Sequence, residues 1–157
     1  MSGTMRGTMT RRVAMTSICM AALSVSACHR EPPPEHVTTF DMQDAWVRAT
    51  PDSGATTAAY MKLVNGTSST VVVSGFSSSD AATVELHRSS TDAEGEAHMS
   101  MQDSLAIPPG KSVTLEPGGY HLMLIGTTHP LVPGKLARIV MHLSDGSVVS
   151  TSARVKS

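Results

Sequence analysis

The chain has 157 residues, enough for one domain preceded by a targeting segment. Its 12 basic residues against 13 acidic ones leave a net charge of −1, and no basic stripe of the kind nucleic acid requires is present. Both cysteines, Cys19 and Cys28, lie near the start, so a disulfide framework is excluded for the body of the protein, and any metal there must be held by His, Met or carboxylates.

Arg6, Arg11 and Arg12 precede Cys28, and no acidic residue does; the remainder carries 9 basic and 13 acidic residues, a net of −4. Val13 to Ala27 is a run of apolar and small residues, short for a bilayer span and flanked as a signal peptide is. It ends in Val25-Ser26-Ala27-Cys28, which resembles the bacterial lipobox. That resemblance implies cleavage after residue 27 and a lipid anchor on Cys28, the alternative being an ordinary secreted signal with an incidental cysteine. The pair Arg11-Arg12 resembles a twin-arginine signal only weakly, and Met9 or Met15 are alternative start residues. His29 follows Cys28 where an aspartate would retain a lipoprotein at the inner membrane, so sorting to the outer membrane is the expectation. Residues 28–38 contain Pro32-Pro33-Pro34, whose extended backbone suits a tether; His29 and His36 within it read as solvated side chains.

From residue 39 onward the pattern is strand and turn. The expected strands are Met42–Arg48, Ala58–Val64, Val71–Phe76, Thr83–Arg88, Ala97–Met101, Ser112–Leu115, Tyr120–Ile125, Ala137–Leu143 and Val148–Val155. Between them lie Pro51-Asp52-Ser53-Gly54, Asn65-Gly66-Thr67, Pro108-Pro109-Gly110, Glu116-Pro117-Gly118-Gly119, Pro133-Gly134 and Asp145-Gly146. Proline fixes φ in such turns, and glycine or asparagine accepts positive φ. No stretch of helical period survives between them. The expectation is an all-β domain over 39–157, a sandwich or barrel with no internal boundary.

Strand alternation then sorts the polar side chains. In Tyr120-His121-Leu122-Met123-Leu124, the two leucines turn to the core, and His121 and Met123 share the other face. In Thr83-Val84-Glu85-Leu86-His87, Glu85 and His87 likewise share a face opposite Val84 and Leu86. In His98-Met99-Ser100-Met101, the two methionines share a face opposite His98. A nitrogen and a thioether two residues apart form half a site for a soft cation, and thioethers favour Cu(I) over Zn(II), Ca(II) or Mg(II). Outside the cytoplasm an exposed thiol oxidises, so imidazole and methionine are the better donors there. Six methionines follow Cys28. The bland readings are core filler for a methionine and surface placement for a histidine. They are preferred for Met61, His129 and His142.

Taken in order, several segments resemble the periplasmic copper chaperones of the PCuAC family. They are Asp44-Ala45-Trp46-Val47-Arg48-Ala49, Ala58-Ala59-Tyr60-Met61, Asn65, Val84-Glu85-Leu86-His87, Met99-Ser100-Met101, Ile107-Pro108-Pro109-Gly110 and Leu115 to Leu124, with Pro130-Leu131 and Gly134. The resemblance covers nearly all of 40–157. It implies a cupredoxin-like Greek-key β-sandwich of about eight or nine strands. It also implies a Cu(I) site built from His87, a methionine, His121 and Met123. The family spacing downstream favours Met99 slightly as that methionine, whereas the family's Met-x-Met pattern points to Met101; both are kept. Further implications are a metallochaperone and not an enzyme, a periplasmic position on a lipid anchor, and delivery to the copper centres of a haem–copper oxidase. An electron-transfer cupredoxin needs a cysteine ligand that the domain lacks. A lipoprotein that keeps the fold without the metal is the alternative.

Overall fold

The computed structural model describes residues 39–157. The expected leader (1–27), Cys28 and the tether (28–38) with His29 and His36 lie outside the described residues.

Ten strands follow one another: β1 (Phe40–Arg48), β2 (Thr57–Asn65), β3 (Val71–Ser77), β4 (Ala81–Thr91), β5 (Ala97–Met101), β6 (Leu105–Ile107), β7 (Ser112–Leu115), β8 (Tyr120–Thr127), β9 (Leu136–Leu143) and β10 (Val148–Lys156). Nine of these cover the expected strands. The tenth, β6, is three residues long, too short for an alternation to stand out, yet Leu105 and Ile107 turn inward on either side of exposed Ala106. All are hydrogen-bonded into one sheet in the order β5-β4-β8-β7-β2-β1-β10-β9-β3-β6, and further pairings of β3 with β4 and of β2 with β8 bend it back on itself. The result is the expected all-β architecture, a flattened barrel or sandwich. Its first and last strands lie parallel, with Trp46 opposite Arg154 and Val47 opposite Val155.

The core follows from alternation. Ala137, Ile139, Met141 and Leu143 of β9 are buried at every second position. Leu122 and Leu124 of β8 are fully buried, as are Leu63 of β2 and Ile107 of β6. In β1 the parity changes: Phe40 and Met42 point inward, and then so does Val47. One extra residue between Gln43 and Trp46 makes this possible, a bulge in the pairing with β2. Asp44 takes up the extra length with φ of 54°, the only described residue besides glycines at positive φ. Asn65, wholly buried at the end of β2, ties that strand to β6. Its Nδ2 donates to the carbonyls of Ser69 and Ile107, both at 2.8 Å, and its Oδ1 accepts from the backbone N–H and hydroxyl of Thr67.

The candidate site residues lie on the outer face of the part of the sheet formed by β5, β4 and β8. There β4 runs antiparallel to both neighbours, and the long hairpin between β4 and β5 continues the sheet past the barrel.

Candidate metal site

The registers of β4 decide which side chains meet. His87 stands opposite Met101 on β5 and opposite His121 on β8. Directly opposed residues in an antiparallel sheet share a face with Cβ atoms about 5 Å apart. Met101, His87 and His121 thus form one row across three strands. One row away on one side, Glu85 faces Met123; one row away on the other, Ser89 faces Met99. The sequence-predicted residues His87, Met99, Met101, His121 and Met123 all share this face, and Met101 occupies the same row as both histidines.

Burial falls off across the row. His121 is 6 % exposed, while Met101 and Met99 on the edge strand are 58 % and 57 % exposed. His87 and Met123 are intermediate. The imidazoles of His87 and His121 have centroids 6.0 Å apart and planes tilted by 34°.

Hydrogen bonds fix one nitrogen of each ring. Nδ1 of His121 lies 3.1 Å from the carbonyl oxygen of Gly119. A carbonyl only accepts, so Nδ1 carries the proton and the neutral ring keeps its lone pair on Nε2. Nε2 of His87 lies 2.9 Å from the carboxylate of Glu85 and donates to it. Nδ1 of His87 is buried and has no partner, the one such side-chain atom among the described residues. A buried polar atom without a partner costs roughly 1–3 kcal/mol unless something binds it. A cation between the two rings would satisfy it.

The chemistry of the donors narrows the cation. Among the described residues no group of three or more His, Cys, Asp or Glu side chains converges. A hard ion with oxygen ligands has no cage here, whereas two imidazoles flanked by thioethers suit a soft monovalent one. First-row metals bind imidazole nitrogen at about 2 Å, a distance compatible with one ion shared by rings this close.

The other histidines among the described residues are occupied elsewhere. His98 bonds to Asp92 at 2.6 Å within the β4–β5 hairpin. His129 bonds to Asp80 at 3.0 Å and to the carbonyl of Pro130. His142 meets the hydroxyl of Ser77 at 2.8 Å. Met61 is core, 2 % exposed, and so are Met42 and Met141. Two contributors carried no role in the sequence reading: the Glu85 carboxylate and the Gly119 carbonyl. The signal for Glu85 was its position two residues before His87 on one strand face.

The family model described as "Putative lipoprotein LpqE-like" matches residues 40–155, the whole run of described strands except its last residue. The chain belongs to the LpqE-like family. Among its curated relatives, this LpqE-like chain is 29% identical over 153 residues to "Putative lipoprotein Lxx21020" of Leifsonia xyli subsp. xyli (strain CTCB07), covering 94% of this chain and 91% of that protein. Among solved structures, the Cu(I) form of DR1885 from Deinococcus radiodurans is 31% identical with a TM-score of 0.61, over 78% of this chain and 83% of that one. The copper-bound PCuAC domain from PmoF2 has the same TM-score of 0.61 at 23% identity, over 75% of this chain and 92% of that domain, a likeness of fold alone. The expected likeness to PCuAC domains is therefore met in the fold.

Proposed function

We propose that the protein is a Cu(I) carrier of the cell envelope that holds one ion between His87, Met101, His121 and Met123. The observation that carries this reading is the row Met101–His87–His121, in which both rings turn an unengaged nitrogen away from their hydrogen bonds. The Cu(I)-bound relative DR1885, of the same fold, supports it. Copper is the cargo here. The buried His121 and half-buried His87 and Met123 would retain the ion, and the exposed Met101 would be the first donor released to a recipient. Such a gradient lets an acceptor displace ligands one at a time without the free ion entering solution. Met99, one row further out, is the other methionine of the sequence reading and is assigned no place among the four donors.

Residues 1–27 serve in this reading as a cleaved leader, Cys28 as the lipid anchor, 28–38 as the tether, and 39–157 as the copper domain. The family description and the Leifsonia relative, both lipoproteins by name, support the anchor. The protein would then work on the periplasmic side of the envelope, and its recipient would be a copper centre of a haem–copper oxidase subunit.

A competition titration tests the binding. Cu(I) is added under reducing conditions, against a chromogenic chelator, to the full chain carrying Cys19→Ser and Cys28→Ser, so that no thiol competes. One equivalent bound, and lost in His121→Ala and Met123→Ala, is the expected outcome. Equal binding in both variants would sink the assignment. Transfer is read by mixing the loaded protein with a purified apo oxidase subunit, separating the two and measuring the copper content of each.

A further inference from the structure

We infer that Glu85 is a positioning residue for His87, holding the ring so that Nδ1, and not Nε2, meets the metal. The inference rests on the copper site proposed above and assigns which atom of each histidine binds.

Alternation on β4 brings Glu85 and His87 to the same face, two residues apart. The carboxylate reaches Nε2 at 2.9 Å, with side-chain exposures of 17 % for His87 and 32 % for Glu85. A carboxylate can only accept here, so the proton sits on Nε2 and the lone pair on Nδ1. That lone pair is the buried atom without a partner. In His121 the opposite nitrogen is tied, Nδ1 to the carbonyl of Gly119. The two rings are thus held in opposite tautomers, His87 ligating through Nδ1 and His121 through Nε2. A ligating imidazole commonly donates its second N–H to a carboxylate or carbonyl, which fixes the tautomer and raises ligand basicity. Both kinds of partner occur in this one site.

Glu85 adds a charge as well. Two neutral imidazoles and two thioethers leave the monovalent ion uncompensated, and the Glu85 carboxylate supplies one negative charge beside it. It also stands opposite Met123, so one side chain flanks two of the proposed donors. Replacing it by glutamine keeps an acceptor for Nε2–H and removes the charge. Replacing it by alanine removes both.

The experiment is ¹⁵N-detected NMR of the histidine rings in the copper-free full chain with Cys19→Ser and Cys28→Ser, at a pH where the rings are neutral. His87 is expected to show a protonated Nε2 and a bare Nδ1, and His121 the reverse. Glu85→Gln is expected to preserve the His87 pattern, and Glu85→Ala to mix the two tautomers. Cu(I) affinity should fall about 10- to 100-fold in Glu85→Ala and less in Glu85→Gln. A protonated Nδ1 on His87 in the unsubstituted ring, or a tautomer unmoved in Glu85→Ala, overturns the inference. The ring spectrum with Glu85 in place needs no substitution in the site and no copper to bind. A failure of copper binding would therefore strike the functional reading separately and leave the tautomer result standing.

Discussion

At the scale of single residues, the protein divides chemically similar side chains between its core and the face of the proposed site. Met42, Met61 and Met141 fill the core, while Met99, Met101 and Met123 line one outer face of the sheet. The sequence shows this division for Met123, whose neighbours Leu122 and Leu124 must face the core. It does not show whether Met99 or Met101 meets the histidines. That depends on how many residues the β4–β5 hairpin takes up, and spacing to His121 cannot reveal it. The register pairs His87 with Met101, so Met101→Leu should weaken Cu(I) binding by more than Met99→Leu in a chelator competition. The pKa of His129 is raised above the ordinary 6.5, first by donation to the Pro130 carbonyl and then by the Asp80 carboxylate. The folded protein therefore holds this proton more tightly than the unfolded chain does. The stabilisation is fully present below about pH 6.5 and is lost as the pH rises through the raised folded value. A ring titration by ¹H NMR should place the His129 midpoint above 6.5, and Asp80→Asn should lower it.

At the scale of elements, alternation of apolar and polar residues made nine of the ten strands legible, and the turns between them were marked by proline, glycine and asparagine. Three features were not legible. The strand β6 is too short to carry a pattern, and it is held by pairing with β3 and by Asn65 from β2. The bulge in β1 leaves no mark beyond a change of parity between Met42 and Val47, which a reader without the partner strand cannot place. Nor does a strand pattern say which strands will be neighbours, and here β4 lies between β5 and β8. Asn65→Ala leaves the buried Ile107 carbonyl without its donor and should cost about 1–3 kcal/mol in denaturant unfolding. Asp44→Val places a β-branched side chain at φ of 54° and should destabilise by roughly 1–2 kcal/mol, whereas Asp44→Gly should be tolerated.

At the scale of the whole molecule, the closed sheet supplies the rigidity that a small binding site needs. Leu122 is fully buried on β8, opposite Ala59 of β2 and Leu86 of β4, directly between His121 and Met123. Leu122→Ala should therefore cost about 2–5 kcal/mol and loosen the site at the same time. Any ligand that binds only the folded form raises stability by mass action, so a tenfold excess of free Cu(I) over Kd should add about 1.4 kcal/mol. The fold class was readable from the sequence because turn residues and alternation agree over most of 39–157. The candidate residues were legible as a set of side chains on strand faces, but the row that joins three of them comes from sheet order and register. The central claim is that one soft ion sits between two imidazoles and two thioethers. Copper K-edge X-ray absorption of the one-to-one Cu(I) complex tests this most directly. The predicted first shell contains two nitrogen donors at about 2 Å and two sulfur donors at about 2.3 Å, with one sulfur lost in Met101→Leu and one in Met123→Leu. A shell of nitrogen and oxygen alone, or a sulfur count unmoved by both substitutions, would contradict the account.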